Sequence, residues 1–175
     1  MIGDPGKKIL VIIDSNSIIH RAYHALPPLS TKSGQIINAV YGFLLVFLKA
    51  IGDFRPNYIS AAFDLPAPTF RHKKYGEYKA NRPKTPKDLT FQIPIVKDIL
   101  SAFRAQIFEK EGFEADDIIA TIATSAKESF PEISTVILSG DSDNLQLVDE
   151  NTKVYILRKG VNSCRDPASL PRGST

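Results

Sequence analysis

Gly112-Phe113-Glu114-Ala115-Asp116-Asp117 packs three carboxylates into four positions ahead of the apolar run Ile118-Ile119-Ala120. Like charges this close raise one another's pKa, so a folded chain tolerates them mainly where a cation or several donors stand among them. On a helix beginning near Phe113, Glu114 and Asp117 form an i,i+3 pair on one face, and Asp116 turns aside by about 160° at ~3.6 residues per turn. The cluster then addresses a site over the helix N-terminus. Acidic residues also favour a first helical turn through its dipole alone. What favours a site is the company of other acids.

Asp14 closes the run Ile9-Leu10-Val11-Ile12-Ile13, Asp64 follows Tyr58-Ile59-Ser60-Ala61-Ala62-Phe63, and Asp141 and Asp143 follow Ser134-Thr135-Val136-Ile137-Leu138. Such runs read as strands of a parallel sheet, and open α/β sheets bind ligands at the carboxyl edge of their strands. Two roles remain open for these acids. Asp14 could instead cap the turn Ser15-Asn16-Ser17, and Asp141 and Asp143 a short helix over 144–148. Taken together, Asp14, Asp64, Glu114, Asp116, Asp117, Asp141 and Asp143 place seven carboxylates on one sheet edge. Oxygen donors without a Cys or His cluster select Mg²⁺ or Mn²⁺ over zinc, and so many exceed what one Mg²⁺ takes. A two-metal phosphodiester site is the economical expectation. No glycine-rich phosphate loop is present, which argues against a P-loop nucleotide hydrolase.

A second feature lies between Leu65 and Thr90, where apolar periodicity lapses. Seven Lys or Arg fall between Phe70 and Lys87 against one acid, Glu77, whereas five acids crowd between Glu109 and Asp117 against Lys110. A basic strip beside an acidic pocket suits a polyanion whose phosphate meets bound metal. Aromatic and basic residues interleave as Phe70-Arg71-His72-Lys73-Lys74-Tyr75 and Tyr78-Lys79-Ala80-Asn81-Arg82, the composition of a surface that stacks bases and holds phosphates. Connections this long inside compact domains are usually functional or disordered.

The elements that must position these groups alternate between strand and helix, so the fold class is α/β with a central, mainly parallel sheet. Val40, Phe43, Leu44, Phe47, Leu48 and Ile51 space a core-facing helix that ends at Pro56-Asn57. A further helix is predicted from Pro86-Lys87-Asp88 onward, with Phe91, Ile95, Ile99, Leu100 and Phe103 buried, then a short strand Ala105-Gln106-Ile107-Phe108. Behind the acidic cluster Ile118, Ile119, Ile122 and Ala123 face inward, and Val154-Tyr155-Ile156-Leu157 is a last strand. The 175 residues, 43% apolar, are the size of one domain, and the net charge of +3 is small. Cys164 is the single cysteine, so no intrachain disulfide is possible and a reducing compartment is expected. No signal peptide opens the chain, and the apolar stretch 36–51 carries Asn38, Gly42 and Lys49 and is short for a membrane span. A cytoplasmic monomer without a membrane partner is the expectation.

Eight segments in order are similar to one family. They are Leu10-Val11-Ile12-Ile13-Asp14, Arg21-Ala22-Tyr23-His24-Ala25-Leu26, Ala39-Val40-Tyr41-Gly42-Phe43, Phe63-Asp64, Phe70-Arg71-His72, Tyr78-Lys79-Ala80-Asn81-Arg82, Gly112-Phe113-Glu114-Ala115-Asp116-Asp117 and Gly140-Asp141-Ser142-Asp143. The chain through about Lys159 resembles the 5′ nuclease domain that opens bacterial DNA polymerase I, with its stand-alone bacterial and phage relatives and the flap endonucleases. The resemblance implies a PIN-like, Rossmann-like three-layer fold with a basic helical arch inserted at 65–90. It also implies divalent metal and cleavage of DNA at 5′ flaps or ends. By position, the seven acids match the family's metal ligands, and Lys79 and Arg82 match arch residues that act on the scissile phosphate. His20, Arg21, Arg71, Lys74 and Tyr78 are then expected at the DNA; His20 departs from an aromatic that many relatives carry there. The family continues with two further ligands and a helix-hairpin-helix element. Residues 1–160 are therefore expected as the N-terminal catalytic domain, with a DNA polymerase as a candidate downstream neighbour in the parent protein. Residues 161–175, including Leu170-Pro171-Arg172-Gly173-Ser174, are expected as a vector-derived or truncation tail. The alternative to a competent nuclease is a fragment that binds DNA or metal without turnover.

Overall fold

The computed structural model describes residues 7–75, 85–157 and 164–165. A sheet with strand order β3-β2-β1-β4-β5-β6 runs through the middle. The strands are β1 (Lys8–Asp14), β2 (Tyr58–Ala62), β3 (Gln106–Phe108), β4 (Ile133–Ser139), β5 (Thr152–Leu157) and β6 (Cys164–Arg165). The first five are mutually parallel, and β6 pairs antiparallel on the edge, Leu157 opposite Cys164. That short edge strand falls in the stretch expected as a tail.

Pleating divides the apolar runs between two cores. Val11 and Ile13 of β1 point to one side with Val136, Leu138, Tyr155 and Leu157, whereas Ile12, Ile137, Val154 and Ile156 point to the other. Strands buried on both faces need helices on both, and the result is three layers. One outer layer holds α1 (Ser15–Ala25), α2 (Asn38–Phe54) and α5 (Gln92–Ala102), with Ile18, Phe43, Phe47 and Leu100 in its core. The other holds α6 (Ala115–Ser129), which buries Ala115, Ile119 and Ala123. From β1 the chain moves outward to β2 and β3, then returns to the far side of β1 as β4. That reversal opens a crevice between the carboxyl ends of β1 and β4, the usual ligand position in open α/β sheets.

Two short helices, α3 (Phe70–Lys74) and α4 (Lys87–Thr90), flank the middle of the basic segment. The helix predicted from Pro86 is broken at Phe91 into α4 and α5. Pro94 is the physical reason: it has no N–H for the Thr90 carbonyl, and its ring crowds that carbonyl. The predicted buried face holds in part, since Leu100 is buried and Ile95 and Ile99 pack partly buried against the core. Leu89, Val96 and Leu100 are buried, whereas Phe91 is 73% exposed and Phe103 sits largely at the surface. On α2 the predicted Leu48 is likewise exposed, and Val46 and Ala50 are buried.

Gln92, only 1% exposed, is the polar member of this core. Its Oε1 accepts from the N–H groups of Ala39 at 2.8 Å and Val40 at 3.2 Å, capping α2 from another helix. Its Nε2 donates to Asn38 Oδ1 and to the Asp88 carbonyl. Unmade buried hydrogen bonds cost about 1–3 kcal/mol each. Gln92→Leu should therefore lower unfolding stability by about 2–4 kcal/mol, read as a fall in the urea midpoint without change of slope; a midpoint equal to wild type would show that water replaces the cap.

Candidate functional site

Asp14 ends β1 and begins α1, and its 4% exposure places a carboxylate inside the β1–β4 crevice. The capping role and the site role coincide. Its Oδ1 accepts from the Ser17 N–H at 3.2 Å, and its Oδ2 accepts from the Ser139 hydroxyl at 2.6 Å and the Asn144 amide at 3.3 Å. Burial nonetheless holds its pKa above the ordinary carboxylate value, against the lowering effect of the Ser139 and Ser17 hydrogen bonds. Ser17 ties the two strand ends further: its Oγ accepts from the Gly140 N–H at 2.9 Å and donates to the Asp14 carbonyl at 3.1 Å. A Cβ at 140 would lie 3.2 Å from the Ser17 carbonyl oxygen and 3.3 Å from Arg21 Cδ, a tight fit that favours glycine there. Arg21 lies along this seam and donates to the Gly140 carbonyl at 3.3 Å.

The acidic helix starts one or two residues later than the spacing suggests, with Glu114 as its N-cap. Gly112, at φ +83, turns the chain into it. The two-way division of the cluster is present. Asp116 turns toward the crevice, where Asn144 Nδ2 donates to its Oδ1 at 3.3 Å. Asn144 is buried on the 3₁₀ turn Asp143–Leu147 and thus bridges Asp14 and Asp116, while also donating to Ser139 Oγ at 3.2 Å. Burial, followed by the charges of Asp14, Asp141 and Asp64, pushes the Asp116 pKa up to about 6. Burial is the larger cause and the neighbouring carboxylates add to it, both favouring the neutral acid.

Asp64 and Asp141 complete the rim, both exposed. Asp64 Oδ1 accepts from the Ala115 N–H at 2.7 Å, at the first residue of α6, and its own N–H donates to Asn16 Oδ1 at 3.2 Å. Asp141 is held by its N–H donating to Ser139 Oγ at 2.9 Å, and its Oδ1 accepts from the Asp143 N–H at 3.1 Å. Asp143 opens the 3₁₀ turn with its side chain at the surface.

Glu114 and Asp117 share the other face of the helix start. Arg71 of α3 meets Asp117 through both fork nitrogens, each at 2.7 Å, and comes within 3.7 Å of Glu114 Oε2. Arg71 also lies 4.6 Å from the Phe70 ring centroid, and Phe70 packs on Phe113 with centroids 5.8 Å apart. Lys74 is exposed beside the Tyr75 ring, and His20 is half-buried on α1. Lys79, Arg82 and Tyr78 lie outside the described residues. Ser17, Ser139 and Asn144 were not anticipated from the sequence; the only hint for Asn144 is a polar side chain one position past Asp143.

Among the described residues, no three His, Cys, Asp or Glu side chains stand close enough to hold a metal ion unaided. Mg²⁺ normally takes one or two carboxylates and keeps its waters. An all-oxygen rim with Asp14 and Asp116 at its centre and mutual repulsion among its acids fits such an ion. The metal-free protein carries a cost that follows from the Asp116 shift. Its folded pKa lies above the ordinary 3.8, so ionising it opposes folding at pH above about 6, and the penalty disappears as pH falls through 6 toward 3.8. Asp116→Asn keeps an oxygen for Asn144 and removes the charge. In EDTA at pH 7.5 it should raise Tm by ~2–4 °C, the equivalent of about 1 kcal/mol after allowing for solvent at this half-exposed group. At pH 4 the gain should vanish; an equal gain at both pH values would refute the electrostatic cause.

The chain is similar to several known proteins. DNA polymerase I of Bacillus subtilis (strain 168) is 43% identical over 155 residues, covering 89% of this chain and 17% of that protein. A 5′-3′ exonuclease of Aquifex aeolicus (strain VF5) is 46% identical over 147 residues, covering 84% of this chain and 50% of that protein. The chain thus spans from about a sixth to half the length of these relatives. In fold it matches the bacteriophage T5 flap endonuclease in a pseudo-enzyme-product complex with DNA and metal ions, with TM-score 0.63, 18% identity, and coverage of 85% of this chain and 55% of that one. The T5 5′-exonuclease with bound zinc gives TM-score 0.63 at 21% identity over 85% of this chain and 55% of that one. No helix among the described residues is long and apolar enough to cross a membrane. Residues 9–170 match the family described as the 5′-3′ exonuclease, N-terminal resolvase-like domain, and the chain belongs to that family.

Proposed function

We propose that this chain is the N-terminal catalytic part of a metal-dependent 5′ nuclease that hydrolyses DNA phosphodiesters at 5′ flaps or ends. The observation that carries the reading is the convergence of Asp14, Asp64, Asp116 and Asp141 at one end of the sheet, beside the basic α3. The relatives named as 5′-3′ exonucleases, and the T5 structure with DNA and metal ions, support the same chemistry. Divalent ions bound at this rim, Mg²⁺ or Mn²⁺, would supply an activated water and stabilise the leaving oxygen. Asp14 and Asp116 are the central ligands in this reading, with Asp64, Asp141 and Asp143 reaching ions through water or directly, and Glu114 next to them.

The remaining roles fall to the chain's own groups. Ser17, Ser139 and Asn144 orient the two central carboxylates so that little rearrangement is needed when a substrate arrives. Lys74 with His20 and Arg21 offers cationic and aromatic contacts to the DNA backbone, and Lys79, Arg82 and Tyr78 of the basic segment extend them. A fixed ammonium or guanidinium beside the developing phosphorane charge, the role assigned to Lys79 and Arg82, is electrostatic catalysis. A fused DNA polymerase in the parent protein is consistent with the polymerase I relatives.

Because the chain spans only 17–50% of these relatives' length, a second reading is that it binds DNA and metal but does not turn over. A 5′-labelled flap oligonucleotide separates the two. Mg²⁺-dependent release of the flap, reduced at least 100-fold in Asp116→Ala and Asp141→Ala, is the expected result on the scale of lost metal ligands. Salt-sensitive binding without cleavage at any Mg²⁺ or Mn²⁺ concentration would leave the binding reading, and cleavage undiminished in both variants would remove the nuclease site.

A further inference from the structure

The three acids at the start of α6 have different surroundings. Asp117 Oδ1 accepts from Arg71 at 2.7 Å, and its Oδ2 accepts from Arg71 at 2.7 Å and from the Glu114 N–H at 3.0 Å. An ionised carboxylate has about four lone-pair sites, so three are already used, and by charge-assisted or capping bonds. Asp116, by contrast, receives one long amide bond from Asn144. A carboxylate neutralised by a two-pronged guanidinium gives little to a cation.

The contact on the other side has its own supports. The Phe70 N–H donates to the Gly112 carbonyl at 2.9 Å, Phe70 packs on Phe113, and the Arg71 guanidinium rests against the Phe70 ring. Backbone, aromatic and ionic contacts thus all join α3 to the residues just ahead of α6. Helix α3 lies in the basic segment, ahead of Tyr78, Lys79 and Arg82 in sequence.

We propose that Asp117 is a positioning residue that seats Arg71, fixing the root of the basic segment against the acidic rim, and that it is not a metal ligand. The inference rests on the nuclease reading for what the segment does, and on the structure alone for the pairing. Charge at Arg71 is insufficient for this role: lysine cannot reproduce the planar fork. Arg71→Lys, which keeps a cation available to phosphate, should therefore behave like Asp117→Asn.

The test measures two affinities on the same proteins. Mn²⁺ binding by calorimetry should stay within about twofold of wild type in Asp117→Asn and fall by tenfold or more in Asp116→Asn, the usual scale for a lost ligand shell member. Binding of a fluorescent 5′-flap oligonucleotide in Ca²⁺ should weaken by roughly 5–20-fold in Asp117→Asn and in Arg71→Lys, and no further in the double variant. Equal loss of Mn²⁺ binding in the Asp116 and Asp117 variants would overturn the proposal, as would multiplicative losses of DNA binding in the double variant. If wild type binds neither probe, the nuclease reading fails instead. Thermal unfolding of the four proteins then decides the pairing, since non-additive Tm shifts support it and additive shifts overturn it.

Discussion

Concentrating negative charge where two parallel strands end is the constraint around which this molecule is built. The carboxylate of Asp14 sits almost wholly inside, and Asp116, Asp64 and Asp141 add their fields to the same crevice. Neutral donors do the holding there. Ser17, Ser139 and Asn144 satisfy lone pairs without cancelling charge, which preserves the attraction for a cation while preventing the buried oxygens from going unbonded.

Cations of the protein itself are kept to the perimeter. Arg71 neutralises Asp117 on the outer face of the helix start, and Arg21 spends its hydrogen bond on the Gly140 carbonyl and not on an acid. This separation lets one short run of sequence serve two ends. One carboxylate of the Asp116-Asp117 pair turns in toward the strands and the other turns out toward α3, as the 100° step of a helix dictates. The strand order supplies the rest, because the reversal between β1 and β4 leaves a crevice that no helix fills.

Much of the architecture was legible in the residues. All five parallel strands are legible as short apolar runs, and the acids after β1, β2 and β4 identify the carboxyl edge before any coordinates. The division of Glu114 and Asp117 from Asp116 also follows from helical geometry alone. What periodicity could not reveal is the polar framework. Gln92, Ser139 and Asn144 are buried for their hydrogen bonds, and a polar residue in a core leaves no apolar repeat to detect. Pro94 lies about eight residues into the helix predicted from Pro86, where a proline interrupts helical bonding, and α4 and α5 separate there with Phe91 turned outward. Ser15-Asn16-Ser17, a turn by its composition, is the first turn of α1. Their value lies in caps and cross-links that only the assembled sheet supplies.

The far end of the basic segment is fastened as well. Tyr23 Oη donates to Asp88 Oδ2 at 2.8 Å, and Gln92 joins the Asp88 carbonyl to the α2 start, so the chain re-enters the fold at a point locked to α1 and α2. Both described ends of the basic segment are thus fixed to the domain. With its ends so placed, the connecting length is thermodynamically permissive: doubling a flexible loop costs only about 0.6 kcal/mol in closure entropy. The number of residues between Tyr75 and Thr85 can therefore change at little cost to the contacts that hold the two ends.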